Sequence, residues 1–233
     1  MSKPTFIRKS IAILLKLVLL FMLTSIGFTL LFRFVPPPFS GVMATQSVSA
    51  TPSNPKGEIR QQWVSIDRIS CHLVRAVVAA EDQKFEHHIG FDISAIQAAL
   101  RHNLSGGAIR GGSTISQQTA KNLFLWTRRS LLRKGLEAYF TILLETLWSK
   151  KRIMEVYLNY IELGDGIYGA ESAARTYFKK SAKTLTIAES ALLAAMLPSP
   201  KTRNPLQPSR RLQRKQTWVM HQMGRMNTSH LCQ

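Results

Sequence analysis

Three short strings hold the residue types that can do chemistry. The first runs Glu81-Asp82-Gln83-Lys84-Phe85-Glu86-His87-His88-Ile89-Gly90-Phe91-Asp92 and contains four of the chain's 13 acidic residues. Carboxylates crowded by like charge and partly desolvated hold their protons more tightly, which suits a general base or acid. Taken alone, the string reads equally as a charged helix end in water. His87 and His88 are adjacent, point apart on a helix, and belong to no HExxH pattern. They read as structural or hydrogen-bonding groups rather than metal ligands. The second string is Gly111-Gly112-Ser113-Thr114-Ile115-Ser116-Gln117-Gln118-Thr119-Ala120-Lys121-Asn122. Helical spacing puts Thr114, Gln117 or Gln118, and Lys121 on one face, so hydroxyl, amide and ammonium stand together. Glycines admit a close backbone approach, and a helix N-terminus offers N–H groups to an anion. The Gly-Lys-Ser/Thr order of a P-loop is missing, and a capped amphipathic helix with a polar outer face is the plainer alternative. The third string is Arg133-Lys134-Gly135-Leu136-Glu137. Its spacings of four and three residues let both cations reach Glu137. As a surface ion pair that arrangement contributes about 0.3 kcal/mol, in the weaker Arg-before-Glu order. Two cations beside a carboxylate also suit a diphosphate.

Helical elements must position these strings. Leu73, Val77 and Ala80 share one face of a segment leading into Glu81. Asp92 caps a helix carrying Ile93, Ile96, Ala99 and Leu100. Gly106, Gly107, Gly111 and Gly112 bracket a loop, after which Ser113 stands at the cap position before Ile115. Ser130 caps a long apolar helix through Leu132, Leu136, Phe140, Leu143 and Leu147. A further helix carries Ile153, Val156, Tyr157 and Leu158, and Gly164, Gly166 and Gly169 interrupt it before 170–178. Thr186 and Glu189 form a capping-box pattern opening 187–196, which Pro198 stops. Period-two patterning is scarce, so the expected class is all-α.

The 233 residues suffice for one domain and an appendage. Hydrophobic residues at 45% and charged residues at 19% exclude a disordered tail and a polytopic membrane protein. Lys3, Arg8 and Lys9 precede an apolar run, residues 11–32, whose only charge is Lys16. That run makes roughly 33 Å of helix, enough to cross a bilayer core. It is longer than the usual export-signal core, a cleaved signal being the alternative. The positive flank keeps residues 1–10 in the cytoplasm and puts the rest outside. Residues 33–62 read as a linker, with Pro36, Pro37, Pro38, Pro52 and Pro55 among small residues. The domain proper occupies 63–200, and 201–233 form a basic helical tail with Trp218, Val219 and Met223 docked on the core. Asn227 to Gln233 read as a disordered end. Lysines and arginines (31) outnumber acids (13), a formal charge of +18. Outside the cell such a field meets anionic lipid or a lipid-linked phosphate rather than nucleic acid. Cys71 and Cys232 form no CxxC, which excludes a disulfide scaffold or a cysteine-built zinc site. A single long-range bridge is left open.

Together the strings resemble the family 51 peptidoglycan glycosyltransferases, in their monofunctional biosynthetic form. The Glu-Asp-x-x-Phe-x-x-His-x-Gly-x-Asp pattern falls on Glu81, Asp82, Phe85, His88, Gly90 and Asp92. The Gly-Gly-Ser-Thr-Ile-x-Gln-Gln-x-x-Lys-Asn pattern runs from Gly111 to Asn122, and Arg-Lys-x-x-Glu falls on Arg133, Lys134 and Glu137. The likeness continues through Ser149-Lys150, Tyr157-Leu158-Asn159, Tyr168-Gly169 and Glu189 to Pro198, covering about 63–200. Members of the family often carry Tyr at Glu86 and Thr at Ser116. With about 35 residues after Pro198, no transpeptidase domain is expected.

The resemblance implies a lysozyme-like α-helical domain behind a single transmembrane helix in the inner membrane, with the catalytic domain periplasmic. It implies polymerisation of lipid II with inversion at MurNAc C1. Glu81 is the implied base, with Glu137 as second acid. Asp82, Phe85, His88, Ser113, Thr114, Gln117, Gln118, Lys121, Asn122, Arg133 and Lys134 are the implied substrate-binding set. Glu137 either orients the cations or holds a divalent ion such as Mg²⁺ or Mn²⁺, and no organic cofactor is expected. Implied partners are lipid II, the growing glycan, membrane lipids and other wall-synthesis or division proteins, with no nucleic acid. Leu123-Phe124-Leu125-Trp126 is either core or a segment dipping into the bilayer. Two rivals stand beside this reading: a lytic hydrolase of finished glycan, and a non-catalytic basic module binding wall polymer or phospholipid.

Overall fold

The computed structural model describes residues 3–46, 54, 56–106, 111–226 and 228–232. Pro52, Pro55, Gly107, Asn227 and Gln233 lie outside them. The chain divides into two compact units, Met1–Pro37 and Pro38–Gln233.

The first unit is helix α1 (Lys3–Phe34). Its stretch Ile7–Phe34 is, among the described residues, the one helix long and apolar enough to cross a membrane. The helix outlasts the expected 11–32 at both ends, since nothing before Pro36 breaks it.

In the second unit, α2 (Gly41–Gln46) and a two-residue strand β1 (Arg60–Gln61) precede the helical body. That body comprises α3 (Cys71–Glu81), α4 (Ile93–Leu104), α5 (Ile115–Phe124), α6 (Leu131–Leu147) and α7 (Lys150–Tyr160). After strands β2 (Glu162–Gly164) and β3 (Ile167–Tyr168) come α8 (Ala170–Ala173), α9 (Ile187–Met196) and α10 (Arg210–Met223). β3 is central in the small sheet, parallel to β1 and antiparallel to β2 across a bulge. Strands of two or three residues are too short to show an alternating pattern.

α3 packs against α9 and α10, and α5 packs against α6 and α7. Ala191, Leu193, Ala194 and Ala195 of α9 are fully buried, so that helix is apolar nearly all round, as a central element must be. Leu73, Val74, Ile115, Leu144, Ile153 and Tyr157 complete the core that holds α3 and α5 rigid. Asp92 Oδ1 accepts from Ala95 N at 2.9 Å, Ser130 Oγ from Arg133 N at 3.1 Å, and Thr186 and Glu189 cap each other.

Two expectations change, and one open alternative is decided. The face of α4 does not enter the core: Ile93, Ile96 and Leu100 are exposed and only Ala99 is buried. Leu123 and Leu125 are buried and Phe124 stacks on Phe140 at 4.3 Å, so this stretch is core. The chain's end is not loose. Cys232 is disulfide-bonded to Cys71, with Cα atoms 5.6 Å apart, and Thr228 and Leu231 are buried beside it. Residues 161 apart in sequence give no local signal of pairing.

Candidate active site

α3 delivers Glu81 as its last residue, where the chain turns out of the helix at Asp82. Glu81 lines a cleft of about 530 Å³ together with Asp82, Lys84, Ser113, Thr114 and Trp218. Gln118 Nε2, one turn into α5, donates to Glu81 Oε2 at 2.9 Å. The amide is itself oriented, because Tyr157 Oη donates to Gln118 Oε1 at 3.4 Å. Burial pushes the Glu81 carboxyl above its usual range; the Gln118 bond and the charge of Lys215 pull the other way, and Asp82 adds to the rise. Burial, with Glu81 and Asp82 nearby, also holds the Tyr157 hydroxyl well above its ordinary value, so it stays a donor.

Asp82 builds the frame around this carboxylate. His88 Nε2 lies 3.0 Å from both Asp82 oxygens, and Ile115 N donates to Asp82 Oδ2 at 3.0 Å. The anion at the N-terminus of α5 is therefore the protein's own carboxylate. The cap is Thr114, not Ser113: Thr114 Oγ1 accepts from Gln117 N while Gln117 Oε1 accepts from Thr114 N. Thr114 Oγ1 also donates to Gly90 O at 2.6 Å, a carbonyl presented by a turn in which Gly90 has φ +80°. Gly112 permits a close approach to the α4 backbone, since a Cβ there would come 3.2 Å from Ala95 O. The Ser116 hydroxyl donates to Glu145, which pairs with Lys150 at 2.7 Å. Lys150 also donates to His88 O at 2.7 Å and stands 4.7 Å over the Phe85 ring.

A second cleft, also about 530 Å³, shares Ser113 with the first. Lys121, Arg129, Arg133, Lys134 and Glu137 line it. Glu137 is 3% exposed; Arg133 Nη1 donates to its Oε2 at 2.7 Å, and Lys134 Nζ to its Oε1. A pair this buried is no surface ion pair, because removing one partner strands a charge away from water. Arg133 Nε is buried without a hydrogen-bond partner. Burial lowers the pKa of the Lys121 ammonium and Glu137 opposes the shift, while Arg133 and Lys134 add to it. The cleft thus sets four cations, Lys121, Arg129, Arg133 and Lys134, against two carboxylates, Glu137 and Glu162.

A family model for transglycosylases matches residues 47–224. The chain belongs to the transglycosylase family. It is similar to the biosynthetic peptidoglycan transglycosylase of Haemophilus influenzae, 50% identical over 218 residues, which cover 93% of this chain and 89% of the relative. A protein of the same description from Pseudomonas fluorescens Pf-5 is 49% identical, with 91% and 89% covered. One from Pasteurella multocida is 50% identical, with 92% and 87% covered. The all-α domain and the apolar N-terminal helix fit this membership, and the enzyme is a glycosyltransferase.

In this transglycosylase the residues expected from sequence gather around α5. Glu81, Asp82, Ser113 and Thr114 border the first cleft. Gln117, Gln118, Lys121, Asn122, Arg133, Lys134 and Glu137 border the second. Phe85 is completely buried and the His88 side chain 8% exposed, so both sit behind the wall and offer a ligand no face. The two departures from the family pattern have partners: Ser116 holds Glu145, and Glu86 pairs with His230 at 2.6 Å. Sequence reasoning missed Tyr157, Glu145, Lys150 and Arg129 as site residues. Tyr157 and Lys150 lay inside strings that carried the resemblance, whereas nothing local marked Glu145. A divalent ion at Glu137 does not fit this donor set. Both carboxylate oxygens are taken by cations, and among the described residues no group of three or more His, Cys, Asp or Glu side chains could share a metal.

Proposed function

We propose that this enzyme polymerises peptidoglycan glycan strands from lipid II, releasing undecaprenyl diphosphate. The acceptor GlcNAc occupies the Glu81 cleft, and the donor diphosphate lies over Lys121, Arg133 and Lys134. Glu81 takes the proton of the acceptor 4-hydroxyl. The freed oxygen bonds to C1 of the donor MurNAc as the bond from C1 to the diphosphate oxygen breaks. That electron pair leaves with the diphosphate. Attack from the opposite face inverts C1. A positioned base supplies about 10²- to 10⁴-fold. A diphosphate needs charge neutralisation rather than a proton as it departs, which the preorganised cations provide. Glu137 keeps Arg133 and Lys134 pointed at the leaving group, and no step passes through a metal.

The observation that carries this reading is that the two clefts share Ser113 in their walls: Glu81, with its pKa raised by burial, lines one, and Lys121, Arg133 and Lys134 line the other. A hydrolase of finished glycan has no diphosphate to neutralise. Purified full-length enzyme in detergent, given labelled lipid II, should build a glycan ladder on a gel, and Glu81→Gln should not. Cleavage of preformed glycan without a ladder would transfer the assignment to the lytic class.

In the same reading α1 crosses the inner membrane once, with Arg8 and Lys9 on the cytoplasmic side and Pro38–Gln233 periplasmic. Protease added to spheroplasts should then digest the second unit, and protection of that unit would reverse the orientation. Cross-linking of peptides is left to other enzymes, so a fluorescent penicillin should not label the chain.

A further inference from the structure

We infer that Trp218 of α10 is the platform on which the acceptor sugar lies beside Glu81. The inference deepens the proposed polymerase reading and rests on it for the identity of the sugar. The basic tail was expected to dock Trp218 on the core together with Val219 and Met223. The structure divides them. Leu212, Val219 and Met223 form the buried stripe at 3%, 0% and 4% exposure, whereas Trp218 is 41% exposed. At 100° per residue Trp218 lies about a third of a turn from that stripe. It lines the Glu81 cleft instead.

The surroundings of the ring favour a sugar over a lipid chain. Lys215 Nζ stands 3.9 Å from the ring centroid, and its charge also acts on Glu81. A cation over an indole is attracted by the negative π face, which fixes the ring plane. An oriented, half-exposed indole is a flat apolar surface with little rotamer entropy left to lose. A pyranose matches it, with C–H bonds on one face and hydroxyls at its edge. The edge finds polar partners across the cleft. Lys84 Nζ donates to Ser94 Oγ at 2.6 Å, and Ser94 Oγ bonds in turn to Asp92. α10 is held in place independently of any ligand, since Gln216 Nε2 donates to Ala188 O of α9 at 2.8 Å. A carboxylate base, an aromatic platform and a polar rim therefore meet in one cleft.

The test is best read in the full-length Glu81→Gln protein, which separates binding from turnover. Titration with the soluble disaccharide GlcNAc-β-1,4-MurNAc should change the tryptophan fluorescence in a saturable way. The additional change Trp218→Phe should abolish that signal while calorimetric titration still detects the disaccharide, and by calorimetry Trp218→Ala should weaken binding about tenfold, as for an aromatic anchor. In otherwise wild-type enzyme, Trp218→Ala should raise KM for lipid II by a similar factor with kcat nearly unchanged, and Trp218→Phe should recover most of the loss. An identical titration with and without Trp218 would overturn the inference. So would a joint fall of kcat and melting temperature in Trp218→Ala that Trp218→Phe leaves unrepaired. Normal polymerisation by Glu81→Gln would remove the base assignment and leave the platform to be judged by the titration.

Discussion

The two glutamates on either side of α5 have the same side chain and opposite surroundings. Glu81 ends a helix, receives one neutral amide and has its pKa raised by burial. Glu137 sits mid-helix, almost fully buried, with a cation on each oxygen. The first is left able to accept a proton, and the second is committed to holding Arg133 and Lys134. Which carboxylate is free to do chemistry follows from its partners, because both oxygens of Glu137 already accept from cations while Glu81, held at Oε2 by a neutral amide, lines a cleft.

The contrast can be tested at several strengths. The largest effect should come from Glu81→Gln, a loss of about 10²- to 10⁴-fold in polymerisation rate. The variant should nevertheless melt higher than the parent at neutral pH. The sign follows from the raised pKa: the contribution of Glu81 to stability is present at low pH and is lost as pH rises through its folded-state value. The melting difference should therefore close on acidification, and a less stable Glu81→Gln at pH 7 would contradict the described environment. Next, Arg133→Ala should lower the rate by about 10²-fold, as for loss of one preorganised charge donor. Activity insensitive to that change would favour the lytic rival. Glu137→Ala should reverse the pattern of Glu81. It leaves two cations without their carboxylate, one of them largely shielded from water, and should cost about 3 kcal/mol in chemical denaturation, with lost activity following the misplaced cations. The pH profile should be narrowed on both sides. The acid limb should begin above the usual glutamate range because burial raises Glu81, and the alkaline limb below the usual lysine range because burial lowers Lys121. Glu81→Asp, retaining residual activity, should move the acid limb and leave the alkaline one. The smallest effect should be that of Tyr157→Phe. It removes one long hydrogen bond to Gln118 and should cost only a few-fold in rate, with no change in the glycan product.

Much of this was legible in the chain, and the gaps have physical reasons. Asp92, Ser130 and Thr186 could be read as caps because a cap and its helix are neighbours in sequence. Ser113 stands at the expected cap position, yet only Thr114 has Gln117 three residues later, the spacing that a reciprocal cap requires. The stripe Ile93, Ile96 and Leu100 was visible as a helix face, yet periodicity reports that a face is apolar and not what covers it. Arg133, Lys134 and Glu137 were close enough in sequence to be grouped, but the burial of Glu137 depends on the packing of α6 against α5 and could not be seen. Asp82, His88 and Ile115 meet only through folding. So do Tyr157 and Gln118, 39 residues apart. Trp218 was misjudged because a basic helix with one aromatic looks the same whether the ring faces the core or a cleft.

The bond between Cys71 and Cys232 makes a covalent ring out of nearly the whole second unit, with α3 at its clasp. Every residue that lines either cleft, apart from Val42, belongs to that ring. A single peptide-bond cut anywhere within it opens the ring without releasing a fragment until the bond is reduced. The ring also orders events in time. It cannot close until all the residues between the two cysteines have been synthesised and have reached an oxidising compartment. The helix that carries Glu81 is thus made early and fastened last.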